Sequence, residues 1–131
     1  RPKNGHSCVI SCVDKEYHIL GAKMVSYIFE LNGWHTHFLG ASTPPKLLVN
    51  FIDETKPDIV GLSLNFYLNY LRLTETLKLI KEKSPEQVVY LGGQAIAEKK
   101  TELRATFDNL IIFDSIMELN NHLKEEFPII T

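Results

Sequence analysis

Three short stretches carry residue types able to do chemistry. The first is "DKEYHILGAKMV" (14–25), where Glu16, His18 and Gly21 stand at the spacing E-x-H-x-x-G. The second is the hydroxyl of Ser63 at the end of "IVGLSL" (59–64), and the third is the pair Gly92-Gly93 closing "QVVYLGG" (87–93). An imidazole beside a carboxylate, a hydroxyl, and backbone without Cβ are the makings of a ligand site. A helix starting near Leu20 needs only an N-cap, which Asp14 or a nearby serine could supply. It does not need Glu16, His18 and Gly21 at that spacing. The local sequence leaves two readings open, a polar loop or a site.

The elements that must position these residues follow from periodicity. "SCVISCV" (7–13), "HTHFLG" (35–40), residues 59–64, residues 87–93 and a weaker "NLIIF" (109–113) read as strands. Between them, Leu20, Met24, Tyr27, Ile28 and Leu31 recur at helical spacing over 20–32, with Asn32-Gly33 as C-cap. Pro44-Pro45 opens a helix through about Glu54, and Lys56-Pro57-Asp58 turns into the third strand. A long helix near 68–83 presents Leu73, Leu77 and Ile80, and further helices are expected near 95–104 and over 115–126.

Strands apolar on both faces and separated by helices argue for a parallel sheet covered on both sides. Five such units predict the flavodoxin-like (Rossmann-like) α/β doubly wound fold, strand order 2-1-3-4-5, over one domain of 131 residues. Ligands of such sheets sit at the carboxyl ends of the strands, by the switch point between strands 1 and 3. That rim receives Asp14 to His18, Ser63 to Asn65, Gly92-Gly93, and Asp114-Ser115.

Other users of this fold fit poorly. A phosphoacceptor receiver needs a carboxylate after strand 3 and a lysine after strand 5, where this chain has Ser63 to Asn65 and Phe113 to Ser115. A flavin mononucleotide site wants a hydroxyl- and glycine-rich loop after strand 1, where "DKEYHILG" offers bulk and negative charge. No G-x-G-x-x-G is present.

Glu16-x-His18-x-x-Gly21, Ser63-x-Asn65 and Gly92-Gly93, in this order and over nearly the whole chain, resemble the cobalamin-binding domain family. The family pattern is Asp/Glu-x-His-x-x-Gly, then Ser-x-Leu, then Gly-Gly; this chain departs at Asn65, where the family usually has leucine. The resemblance implies that His18 replaces the cofactor's own dimethylbenzimidazole as lower axial ligand to cobalt. Glu16 would accept the other imidazole N–H, which fixes the tautomer and raises basicity. Tyr17, Ile19 and Gly21 would line the cofactor. The displaced tail would run between strands 1 and 3, past Ser63, Leu64 and Asn65, with Gly92 and Gly93 leaving room by having no Cβ. The run "HILGAKMVSYIFELNGWHTHFLG", including Trp34, is most similar to sensory and regulatory members. Such a domain would bind adenosylcobalamin or methylcobalamin, with an upstream helical cap or output domain joining at "RPKNG", which reads as a linker. A methyl carrier and the cofactor domain of a methyltransferase or mutase are the alternatives, followed by a degenerate domain with another ligand such as a haem, or none.

Composition restricts the rest. A net charge of −2 with 23% charged residues gives no basic footprint, so direct nucleic-acid binding is not expected. No apolar run approaches a membrane span, and no signal peptide opens the chain. Cys8 and Cys12 would lie about 13 Å apart on one face of a strand, beyond the roughly 7 Å that a disulfide tolerates. They read as buried thiols of a cytoplasmic protein. His35 and His37 alternate without a third ligand, Phe66-Tyr67-Leu68 either edge the cofactor or cap the next helix, and Glu125-Glu126 read as solvated surface. No nucleophile or acid–base pair stands outside the His18 loop, so the chain alone is not expected to be an enzyme.

Overall fold

The computed structural model describes residues 4–17 and 19–129. Five strands, β1 (Ser7–Cys12), β2 (His35–Gly40), β3 (Ile59–Ser63), β4 (Val88–Gly92) and β5 (Leu110–Ile112), form one parallel sheet in the order β2-β1-β3-β4-β5. Val9 opposes His37 on one side and Val60 on the other, Val60 opposes Val89, and Tyr90 opposes Ile111, while the β1–β2 ladder shifts register between Ile10 and Ser11. The fold class and strand order expected from the alternation of apolar runs and amphipathic stretches are those found.

Helices α1 (Leu20–Leu31), α2 (Pro45–Thr55), α3 (Tyr70–Lys83), α4 (Lys100–Thr106) and α5 (Ile116–Glu126) connect the strands, with short 3-10 turns at Tyr67–Asn69 and Ala97–Lys99. Local signals explain their ends. Pro45 occupies the first turn of α2, and the left-handed Lys56 (φ 47°) closes it. Ser115 caps α5 by accepting from the Glu118 N–H at 3.1 Å. Helix α1 begins at Ile19 without a side-chain cap, so neither Asp14 nor a serine plays that part.

Because side chains alternate along a strand, the sheet divides the interior into two cores. Val9, Val60, Leu62, Leu64, Val89 and Leu91 pack with Leu48, Leu73, Leu77 and Ile80 of α2 and α3. Cys8, Ile10, Cys12, Ile59 and Tyr90 pack with Ala22 and Phe29 of α1 and Leu119 and Leu123 of α5. Both cysteines are buried thiols of this second core, outside any disulfide. Trp34 stands at the amino-terminal edge of the sheet, edge-on to Phe29 and Phe127 at 5.0 Å, at the opposite end from the strand carboxyl rim.

One helix differs from its expected orientation. The stripe Leu20, Met24, Tyr27, Leu31 faces away from the sheet, and α1 instead buries Ala22, Ser26 and Phe29. The helix is apolar on two faces, and the face carrying Ala22, Ser26 and Phe29 is the one that packs against the sheet and α5. Among the described residues no helix is long and apolar enough to cross a membrane.

Candidate functional site

The loop between β1 and α1 is held by three neighbours. Glu16 is 1% exposed, and its Oε1 accepts from the backbone N–H groups of Asn65 at 3.2 Å and Phe66 at 3.1 Å. The Ser42 N–H donates to the Glu16 carbonyl at 2.8 Å, and Ser42 Oγ accepts from the Lys15 N–H at 3.0 Å. From α3's approach, Asn69 donates to the Lys15 carbonyl at 3.0 Å, and Arg72 pairs with Asp14 at 3.3 Å. Lys15 itself is left-handed (φ 69°), a costly conformation for a side-chain-bearing residue that these contacts hold in place. A buried carboxylate fastened by two backbone donors is a strut. It joins the loop carrying His18 to the exit of β3. His18 lies outside the described residues. Before and after it in sequence, Tyr17 is 68% exposed and Ile19 is half-buried.

A cleft of about 310 Å³, reaching Gly21 in the first turn of α1, runs between the sheet and helices α1 and α5. Its walls are mainly apolar, with Ile10, Val25, Phe29, Tyr90, Phe113 and Leu119 among them. Its floor along β3 consists of Gly61 and Ser63, which share the face of Ile59 by strand alternation. Ile10 lies across Gly61: a Cβ there would come within 2.7 Å of Ile10 Cδ1. The volume is at the lower end of small-molecule sites, about 300–1,000 Å³.

At the mouth, Asn65 joins two strand ends. Its Nδ2 donates to Ser63 Oγ at 3.3 Å and its Oδ1 accepts from the Gln94 N–H at 3.0 Å. Ser63, 9% exposed, accepts that bond and keeps its own hydroxyl proton to donate. Gly21 in the first turn of α1 has open space before it, the nearest atom to an added Cβ being Asn65 Nδ2 at 4.0 Å. On the far side, Lys100 pairs with Asp114 beside the Ser115 cap.

The two adjacent glycines have different reasons. Gly92 faces the cleft, where a Cβ would make only ordinary contact with the Phe113 carbonyl at 3.9 Å. Gly93 (φ +116°) packs against the Leu64 backbone, and a Cβ would lie 2.7 Å from the Leu64 carbonyl carbon. Its missing side chain therefore serves the chain path first. Leu64 is fully buried in the α2/α3 core, so its side chain points away from the cleft. The structure thus brings Gly21, Ser63, Asn65, Gly92 and Gly93 to one cleft, with Glu16 behind its mouth.

The sequence reading missed Gly61, Ile10 and Tyr90. Period-2 alternation backward from Ser63 could have found Gly61. The Tyr90 hydroxyl meets His122 Nε2 at 2.8 Å, so its polar end is engaged by α5 while its ring lines the cleft. Burial, and then the charge of Glu126, pushes the Tyr90 phenol far above its ordinary value. Phe66, Tyr67 and Leu68 are all more than half exposed beside the mouth. His35 and His37 touch ring to ring at 4.7 Å on the β2 edge, and no group of three or more potential metal ligands occurs among the described residues.

Residues 6–114 match the family model described as the B12 binding domain. Among solved structures, a novel cobalamin-binding protein from Desulfitobacterium hafniense DCB-2 superposes with a TM-score of 0.80 at 23% identity, covering 92% of this chain and 58% of that one. The methanol:cobalamin methyltransferase complex MtaBC from Methanosarcina barkeri gives 0.82 at 15% identity, covering 95% and 47%. The Methanosarcina barkeri monomethylamine corrinoid protein gives 0.78 at 15% identity, covering 91% and 57%. The chain thus spans about half the length of these structures. No curated protein sequence matches it.

Proposed function

The chain belongs to the B12-binding domain family, and from that premise we propose that it is a regulatory domain holding a cobalamin base-off, with His18 below the cobalt and the nucleotide tail in the α1/α5 cleft. The observation that carries this reading is the cleft itself. It reaches Gly21 at the start of α1, has small residues along its β3 floor, and presents a hydroxyl at its mouth.

Each residue then has a task. Glu16, fastened to the Asn65 and Phe66 amides, accepts the second imidazole N–H of His18 and fixes its direction. Ser63 donates to the base of the tail, with Asn65 holding its oxygen in place. Gly21 and Gly92 leave space for the tail on opposite walls. Tyr17, Phe66, Tyr67 and Leu68 form the apolar border on which the corrin rests, and beyond it an upstream helical cap docks. The corrinoid supplies the cobalt–carbon chemistry; the protein supplies position and exclusion of water.

The regulatory role rests on the similarity of the run 18–40 to sensory members. A change of upper ligand, or light acting on an alkyl–cobalt bond, then shifts the docking of cap or output domain. A methyl carrier is the second reading, favoured by the superposition on the monomethylamine corrinoid protein and the methanol:cobalamin methyltransferase complex.

The test is the absorption spectrum of purified protein with adenosylcobalamin and methylcobalamin, in darkness and after illumination. Retention with a histidine-ligated spectrum, lost in His18→Ala, is expected. An unchanged axial-nitrogen signal in histidine-labelled protein removes the ligand assignment. Methyl transfer from loaded protein to a thiol, with no response to light or ligand state, selects the carrier.

A further inference from the structure

Asn65 stands where the family usually has leucine, and its two side-chain bonds have a fixed direction. The Gln94 backbone N–H can only donate, so the atom of Asn65 that meets it at 3.0 Å is the amide oxygen. The amide nitrogen is thereby turned to Ser63 Oγ at 3.3 Å, and that nitrogen can only donate. A backbone donor thus settles the orientation that an isolated amide would leave open. The Asn65 main chain is held as well, its N–H donating to Glu16 Oε1 at 3.2 Å.

Ser63 is the end of this relay. Its oxygen receives the Asn65 proton, so its own proton is left to point into the cleft that it lines. Leucine at position 65 would leave the hydroxyl a free rotor, able to donate to a ligand or to accept from one. With asparagine the polarity is set, from Gln94 to Asn65, from Asn65 to Ser63, and from Ser63 into the cleft. A ligand group arriving at Ser63 must bring a lone pair.

Deeper in the cleft the demand is different. Two residues back along the strands, about 7 Å, Ile10, Gly61 and Tyr90 stand in one row across the same face of the sheet. The Phe29 ring of α1 lies 6.2 Å from that of Tyr90, whose hydroxyl is turned to His122 on α5. One polar requirement at the mouth, with apolar surface beyond it, suits a flat aromatic heterocycle with a bare nitrogen at its edge.

We propose that Asn65 is a positioning residue which, by holding Ser63 as a donor, makes the cleft selective for corrinoids whose tail base carries an unprotonated ring nitrogen. The inference rests on the cobalamin reading above and adds to it the class of tail. The displaced dimethylbenzimidazole of cobalamin brings such a nitrogen, the one that His18 replaces at cobalt. A tail ending in a phenol joined through oxygen brings none.

Two corrinoids test this, cobalamin and its analogue with a p-cresol tail. Each is titrated against the parent, Ser63→Ala, Asn65→Asp, Asn65→Leu and Ser63→Ala/Asn65→Asp. Binding is read from the corrin absorption and the fold of each variant from circular dichroism. The ligands share the corrin and the rest of the tail, so a change in their affinity ratio isolates the base. Ser63→Ala should lower the preference for cobalamin about three- to tenfold. Asn65→Asp still accepts from Gln94 but cannot donate, so Ser63 turns its proton to the carboxylate and sets a lone pair against the ring nitrogen. The preference should then fall about ten- to a hundredfold. Asn65→Leu, which adds no charge near Glu16, should fall between the parent and Ser63→Ala. In the double variant no hydroxyl remains to be reversed, and the ratio should return to that of Ser63→Ala. A parent-like ratio in Asn65→Asp or Asn65→Leu, or losses that add in the double variant, overturns the proposal and leaves cobalamin binding standing. A parent that binds neither corrinoid overturns the cobalamin reading and the proposal with it.

Discussion

Glu16 Oε1 and the Asn65 backbone N–H are 3.2 Å apart, although 49 residues separate them in sequence. This bond, with its companion to Phe66, couples the loop after β1 to the loop after β3 at the switch point of the sheet. The two halves of the cleft mouth are therefore one mechanical unit.

Removing the acceptor should be worse than neutralising it. Glu16→Ala leaves two buried N–H donors unpaired, at about 1–3 kcal/mol of stability, and should lower the denaturation midpoint clearly. Glu16→Gln keeps an acceptor oxygen for both amides and should melt near the parent. Its cobalamin affinity should nevertheless fall about 10–100-fold, as when an imidazole ligand loses its orienting carboxylate. Paired melting and binding titrations separate the two effects.

The adjacent glycines should also separate stability from binding. Gly93→Ala forces a Cβ onto the Leu64 backbone at a left-handed φ, so it should destabilise the domain whether or not cobalamin is present. Gly92→Leu meets open cleft and should fold normally while blocking the tail. Parent-like cobalamin binding by Gly92→Leu would place the tail elsewhere.

Alkaline titration should expose the buried thiols. Burial raises the Cys8 thiol from 9.0 to about 12, against a lowering bond to Thr36. Burial, then the Glu16 charge, raises Cys12 to about 11. Below the unfolded value both states are protonated, and the contribution of these groups to stability is fully present. As pH climbs from about 9 toward 12 the unfolded thiols ionise first, so stability falls. Melting temperatures should decline over that window, and less steeply in Cys8→Ala/Cys12→Ala. Both thiols should resist a disulfide reagent at neutral pH until the protein unfolds.

Much of the architecture was legible from local pattern. Runs such as "SCVISC" and "IVGLS", which carry no charged residue and no polar-apolar alternation, already argue for a sheet covered on both faces, and Asn32-Gly33 and Pro45 mark helix ends by backbone chemistry alone. The order of Glu16, His18, Gly21, Ser63 and Gly92 along the chain likewise carried the resemblance to the family whose model the chain matches. What a linear pattern lacks is direction. Helix α1 carries apolar residues on two faces, and only packing against β1, β3 and α5 decided that Ala22 and Phe29 turn inward while Met24 and Tyr27 turn out. Leu64 and Ser63 are neighbours in sequence but enter opposite cores, because the sheet sends successive side chains to opposite sides. Gly93 looked like room for a ligand until the Leu64 backbone occupied the space. Glu16 is a strut only because two amides 49 and 50 residues away arrive at its carboxylate. Sequence by itself determined which elements form and which rim they share; the tertiary structure decided which atoms meet there, since meeting depends on side-chain direction and backbone approach between segments far apart in the chain.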